Sequence, residues 1–357
     1  MIELKHQGTL RYVLTSSYTH QGFHTFIPGL LQGLKRVYIL KGAPGSGKSF
    51  FIRFIGEHLS EQGYDVEFWM SALDAVSPDG VYIPQLDTAV VNGSLPLPID
   101  PRYPGVRDVL INLEEFWNEQ KIDGQQAKVI ELVDQMESCL HQVTAQLQEA
   151  VAVYEVAKNI YTPCVDKKKL QDLIGELADQ ILQNGAVERH YFARAFTADG
   201  LVNYMNEVSA ECKRRYIFKG PPGSGKGFVI EALAQQARNK GHHLEYYHCG
   251  LQPEKIDMLI IRDLQVALIK AGEMDLLLRP WDVVVDLGSF LNAYDTEELR
   301  IRHSEEIRRY EVSLWNAQQE MEKLNDASRR MQKIFTSATD FARLEARIEE
   351  VLQEIKR

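Results

Sequence analysis

The sequence predicts an α/β protein made of two tandem copies of one core, a parallel sheet with helices on both faces, each copy ending in a C-terminal helical hairpin. Three observations carry this. The chain repeats itself over nearly its whole length, short apolar runs alternate with amphipathic stretches, and each copy closes with a long polar stretch whose apolar residues recur at helical spacing. Strands that alternate with helices call for a parallel sheet covered on both sides.

The repeat is ungapped over long registers. Residues 36–52 read RVYILKGAPGSGKSFFI and residues 214–230 read RRYIFKGPPGSGKGFVI, an offset of 178 that holds from Arg11/Arg189 through Lys48/Lys226 to Asp79/Asp257. After a small length difference the offset becomes 174, and it aligns DVLINLEEF (108–116) with DVVVDLGSF (282–290) and IYTPCVDKKKL (160–170) with IFTSATDFARL (334–344). The copies therefore run from 1 to 184 and from 185 to 357, with an Asn184-Gly185 turn signal at the junction.

Within each copy the elements follow in order. The apolar run Val37–Leu40, or Tyr216–Phe218, predicts a strand leading into a glycine-rich loop. An amphipathic helix follows, over 50–62 or 228–240, stopped by Gly63 or Gly241. Further strands are expected at DVEFWM and HLEYYH, at TAVVN and VALIK, and at VLINL and VVVDL. The helical extensions span 118–184 and 292–357, broken at Thr162-Pro163 and Thr336-Ser337. In their last helices Leu170, Ile174, Leu177 and Ile181, and Leu344, Ile348, Val351 and Ile355, form apolar stripes expected to hold each hairpin together.

The loops carry the chemistry. Gly42, Ala43, Pro44, Gly45, Ser46, Gly47, Lys48 and Ser49 match the pattern G-x-x-x-x-G-K-[ST] between a strand and a helix. Glycines let the backbone take positive φ, so successive N–H groups can cradle a phosphate at the positive end of the helix. Lys48 then reaches the β- and γ-phosphates and Ser49 offers a hydroxyl to Mg²⁺. The second loop, Gly220, Pro221, Pro222, Gly223, Ser224, Gly225, Lys226 and Gly227, keeps the cradle and the lysine but ends in glycine. Without that hydroxyl a metal must find water or another group.

Phosphoryl transfer also needs an acid for the metal. The strand VVVD ends in Asp286, where the first copy has Asn112; the strands before it end in Asn92 and Lys270. Asp74, Asp79, Asp87 and Asp100 are the substitutes in the first copy, and Asp79 leads them because Asp257 shares its register. The candidate catalytic set is thus Lys48, Ser49, Asp79 and Asp286, with Ser49 and Asp286 on the metal. Arg102 and Arg107 sit in PIDPRYPGVR, a segment that reads as a lid able to bring an arginine over a γ-phosphate.

Composition bounds the alternatives. A formal net charge of −10 argues against a nucleic-acid surface. No apolar run reaches membrane-helix length, and the start of the chain lacks a signal-peptide pattern, so no membrane association is expected. Cys139, Cys164, Cys212 and Cys249 are widely spaced, which suits a reducing cytoplasm.

Two GxPGSGK loops in a whole-chain duplication, each copy with a helical extension, resemble the uncharacterised two-domain P-loop ATPases of Bacillus-type bacteria. The resemblance implies two P-loop NTPase cores that bind ATP with Mg²⁺ through Gly42–Ser49 and Gly220–Gly227. Cys249 and Asp79-Gly80 match the family as well; where it carries Asp-Gly-Thr, this chain has Asn92-Gly93-Ser94. The family implies no substrate. Three functions stay open: an ATPase that couples turnover to conformational change, a small-molecule phosphotransferase, and a nucleotide-dependent module that binds a protein partner through its helices. For the two loops a division of labour is expected, the first handling Mg²⁺-nucleotide and the second binding with weaker metal dependence.

Overall fold

The computed structural model describes residues 7–74, 76–94, 96–181, 187–272, 276–291 and 296–357. The Asn184-Gly185 turn signal and the first residues of the second helical extension, 292–295, lie outside these. The first half runs β1 Leu10–Leu14, β2 Ser16–Thr19, β3 Gly22–Thr25, α1 Ile27–Leu30, β4 Arg36–Lys41, α2 Lys48–Glu61, β5 Val66–Met70, β6 Pro78–Ile83, β7 Thr88–Asn92, β8 Asp108–Asn112, α3 Glu119–Ile122, α4 Gln126–Tyr161 and α5 Lys167–Ile181. The second half runs β9 Val187–Phe192, β10 Arg194–Thr197, β11 Gly200–Asn203, α6 Met205–Val208, β12 Arg214–Lys219, α7 Lys226–Asn239, β13 His243–His248, β14 Ile256–Ile261, β15 Val266–Lys270, β16 Val283–Asp286, α8 Glu297–Ala338 and α9 Phe341–Ile355.

One twelve-stranded sheet crosses the molecule in the order β16-β12-β15-β14-β13-β9-β1-β5-β6-β7-β4-β8. Read outward from the central β1–β9 pair, the two halves have the same order. That pair is antiparallel and meets at Leu14 and Phe192. The sheet is mostly parallel, but β6 and β14 run antiparallel to both neighbours, a correction to the all-parallel expectation. Both strands escaped the sequence reading. The runs GVYI and DMLII stand only a few residues before the next strand, too close for the crossover helix that a parallel connection needs.

Strand alternation builds two cores. Tyr38 and Leu40 face α2 and α9, whereas Val37 and Ile39 face the opposite side with Ile27 and Leu31. Near the sheet, the hairpins β2–β3 and β10–β11 place Tyr18 and Phe196 against the long helices.

The helical extensions depart from expectation. α4 and α8 pair with each other and run antiparallel, as the contacts Tyr154–Tyr310 and Tyr161–His303 show. The stripes of the last helices do not close a hairpin with their own long helix. Leu170, Ile174, Leu177 and Ile181 of α5 pack on α7 of the second half with Val229 and Leu233. Leu344, Ile348, Val351 and Ile355 of α9 pack on α2 of the first half with Phe51 and Ile55. The two halves have exchanged their terminal helices. The break at Thr336-Ser337 is also displaced, since α8 continues to Ala338.

The exchange is anchored by backbone. The amide of Asp340 donates to the carbonyl of Phe116 at 2.8 Å, and Asp166 does the same to Phe290 at 2.9 Å. The Asp340 carboxylate caps α9 by accepting from the Arg343 amide. Losing an N-cap of this type costs about 1 kcal/mol. Asp340→Ala is therefore expected to lower stability by about that amount, read as a shift in the urea midpoint at unchanged slope.

Candidate functional site

Each glycine-rich loop leaves the end of an inner strand and enters a helix, β4 into α2 and β12 into α7. The residues before the helices, Gly47 and Gly225, are left-handed (φ 92° and 97°), and no side chain caps either helix. The first-turn amides thus face the loop and can hold an anion. The lysines fold back on their own loops. Lys48 Nζ donates to the carbonyls of Gly42 at 2.6 Å and Ala43 at 2.9 Å, and lies 3.5 Å from Ser46 Oγ. Lys226 Nζ donates to the carbonyls of Gly220 and Pro221. Burial lowers Lys48 to about 8 against the pull of Asp79 and Glu114. The Gly42 amide donates to Ser94 Oγ, so the segment Asn92-Gly93-Ser94 braces the loop.

The helical exchange completes each site from the other half. A Cβ at Gly45 would stand 2.4 Å from the Gln332 carbonyl, and one at Gly223 would stand 2.1 Å from the Lys158 carbonyl. Thr336 Oγ1 donates to the Gly45 carbonyl at 3.2 Å. Beside Gly47 lies Leu344, and beside Gly225 lies Leu170. Pro44 of the first loop and Pro222 of the second are half-buried. A cavity of about 350 Å³ beside the second loop is bounded by Lys226 and Gly227 and, from α4 of the first half, by Tyr154, Lys158 and Asn159.

The acids divide sharply. Asp79, on β6, is buried beside the first loop; its Oδ1 accepts from Asn92 at 2.9 Å, and its Oδ2 makes no hydrogen bond of normal geometry, although the Ser71 side chain lies near enough to favour the charged carboxylate. Burial raises its carboxyl to about 6, with Asn92, Ser71 and Lys48 drawing it partly back. Asp257, at the same place in the second half, is saturated: Oδ1 takes Lys270 at 2.7 Å and Oδ2 takes Arg194 at 2.6 Å. Burial alone would raise Asp257, yet these two cations hold it well below the usual carboxylate range.

Asp286 lies exposed at the end of the edge strand β16, where its carboxylate accepts from the Gly288 amide and caps a short turn. Asn112 does the same for Glu114. Ser49 sits half-buried in the first turn of α2, and Gly227 in that of α7. Of the remaining first-half acids, Asp74 holds Val76 and Ser77, Asp100 pairs with Lys41, and Asp87 ends a turn at φ 49°. The segment expected to act as a lid is tied down: buried Asp108 accepts from the amides of Arg102 and Tyr103 and from the Arg107 guanidinium. Asp282 holds Arg215 and the Arg279 amide in the same manner.

Of the residues singled out in the sequence, the structure brings Asp79 close to Lys48 at the first loop, and the sequence reading missed the residues supplied across halves. Lys158, Gln332 and Thr336 gave no signal, because nothing local shows that helices exchange. Arg194 and Lys270 had one: they stand where the first copy has Ser16 and Asn92, both beside an aspartate common to the two copies. Comparison with protein families, with curated proteins and with solved structures gave no match. Among the described residues no helix is long and apolar enough to cross a membrane.

Proposed function

We propose that this chain is an ATP-binding protein of the P-loop NTPase type, with two tandem P-loop cores, and that it hydrolyses ATP to drive a conformational change. One observation carries the reading: a G-x-x-x-x-G-K loop between an inner strand and an uncapped helix, present twice at equivalent places in one sheet. In the first half, Lys48 would leave the carbonyls of Gly42 and Ala43 for the β- and γ-phosphates. Ser49 and the open Oδ2 of Asp79 fit a hydrated Mg²⁺, which keeps several waters and needs only one or two protein oxygens. The metal would neutralise charge on the phosphates.

The conformational output has a physical basis. Each loop touches the long helix and the terminal helix of the other half, so a ligand that moves the loop must also move those helices. The outer face of α8 exposes Val312 and Trp315, and this favours a second reading in which the helices present a protein-binding surface set by nucleotide. A phosphotransferase would need an acceptor. Steady ATP turnover by the purified chain with Mg²⁺ and no acceptor is the expected result. Turnover that appears only with a nucleoside or metabolite would move the assignment to a phosphotransferase, and binding without turnover would move it to a binding module.

A further inference from the structure

The two sites differ by a set of exchanges, several of which bring a lysine to the second. Ser49, whose hydroxyl the proposed function gives to the metal, is replaced by Gly227. Asn92, beside Asp79, is replaced by Lys270 on Asp257. Gln332, whose carbonyl meets the first loop, is replaced by Lys158, whose carbonyl meets the second. Ser77 is replaced by Lys255. Among the described residues the cavity at the second loop is lined by four lysines, Lys158, Lys226, Lys255 and Lys270, and by one carboxylate, Glu231, which replaces Arg53 of the first half and runs the other way. Lys158 also pairs with Glu155, 2.7 Å away on α4. The loop residue Ser224 lines the same cavity, and its buried Oγ has no hydrogen-bond partner.

We infer that the second loop binds a polyphosphate chain without a divalent cation, with the Lys270 ammonium on Asp257 standing where the first site presents an open carboxylate to Mg²⁺. The inference rests on the P-loop reading and assigns the metal requirement of one of its two sites. Two cations, Arg194 and Lys270, share the one carboxylate of Asp257, so the cluster keeps a net positive charge and supplies part of what a bound metal would bring. It also blocks the metal. Both oxygens of Asp257 are occupied, and Mg²⁺ could take one only by leaving a buried ammonium or guanidinium uncompensated. Gly227 removes the remaining protein ligand. Lys158 arrives from the first half, so the charge at this site depends on the helical exchange. The Ser224 hydroxyl and the first-turn amides of α7 would meet the phosphate oxygens.

Calorimetric titration with ATP tests this, run once with Mg²⁺ and once with EDTA. Two sites are expected with Mg²⁺ and one with EDTA. Lys226→Ala should remove the EDTA-resistant site and Lys48→Ala should leave it. Inorganic tripolyphosphate should displace ATP from that site in EDTA, which separates recognition of the phosphate chain from recognition of the base. Lys270→Asn, the first-half residue, should weaken EDTA-resistant binding at least tenfold. Lys158→Gln, which installs the residue the other half carries at Gln332, should weaken it severalfold. Adding Gly227→Ser to Lys270→Asn should return binding that needs Mg²⁺; a Cβ at Gly227 meets nothing within 4 Å. Loss of both sites in EDTA, or EDTA-resistant binding that survives Lys158→Gln and Lys270→Asn undiminished, overturns the inference while the P-loop reading stands. No ATP binding at all, with Mg²⁺ present, removes the P-loop reading itself.

Discussion

Lys48→Ala is expected to weaken ATP binding at the first site about ten- to a hundredfold, since a charge-assisted phosphate contact contributes roughly 1.5–3 kcal/mol. The fold should tolerate the change. The ammonium is buried, and burial lowers it to about 8, so the folded state gains little from keeping it charged. Its removal leaves the carbonyls of Gly42 and Ala43 without this donor, in a loop whose shape is set by glycine conformation and by Ser94. Isothermal titration in a Lys226→Ala background isolates the first site. Unchanged affinity there would mean that the first loop does not hold the phosphates. The ATPase rates of Lys48→Ala and Lys226→Ala, compared side by side, assign the catalysis. Loss of turnover in Lys226→Ala alone would reverse the roles given to the two halves.

The second large effect belongs to Asp79. Its carboxyl is raised from 3.8 to about 6, chiefly by burial. A raised acid means that the folded state binds more protons than the unfolded state between these values. Stability from this group is therefore fully present below about 4 and is lost as pH rises through about 6. That interval corresponds to roughly 3 kcal/mol. Asp79→Asn removes the charge, keeps Oδ1 for Asn92, and should stabilise the protein at pH 7 by up to about 3 kcal/mol, with little gain at pH 4. Urea melts across pH 4–8 read the difference. On the P-loop reading proposed above, in which the open Oδ2 is the carboxylate offered to Mg²⁺, the same variant should lose most of its Mg²⁺-dependent turnover. An Asn variant that is less stable than wild type at pH 7 would show that the buried carboxylate is satisfied in a way its neighbours do not reveal. Asp257→Asn is expected to behave oppositely, since it strips the partner from Arg194 and Lys270. The contrast follows from the compensating charge: Asp79 has only the pull of Lys48, whereas Asp257 is paired directly with Arg194 and Lys270.

Much of this was legible in the residues. The apolar runs 36–41 and 214–219, the glycine stops at Gly63 and Gly241, and the starts of α2 and α7 follow from periodicity and turn chemistry, which are local. Even Asp79 could be singled out, because the repeat preserved it as Asp257. The stripes of α5 and α9 were legible as stripes but not as to their partner. An amphipathic helix states that it must bury one face and does not state against what. The lid reading of PIDPRYPGVR failed for a similar reason. Proline and glycine mark irregular backbone, and only the buried Asp108 decides that this backbone is held.

The sequence by itself determined the duplication, the two glycine-rich loops, the lysine at the head of each helix, and the loss of the hydroxyl at Gly227. Each of these is a property of neighbouring residues or of one copy laid on the other. Tertiary structure alone decided that β1 and β9 join the halves into one sheet, and that the terminal helices change places. It also decided that Lys158 and Gln332 stand over loops far from them in the chain, and that Asp257 is neutralised where Asp79 is not. The physical reason is that burial and charge compensation are set by what lies across a contact in space, whether that is a helix of the opposite half or a strand of the same one.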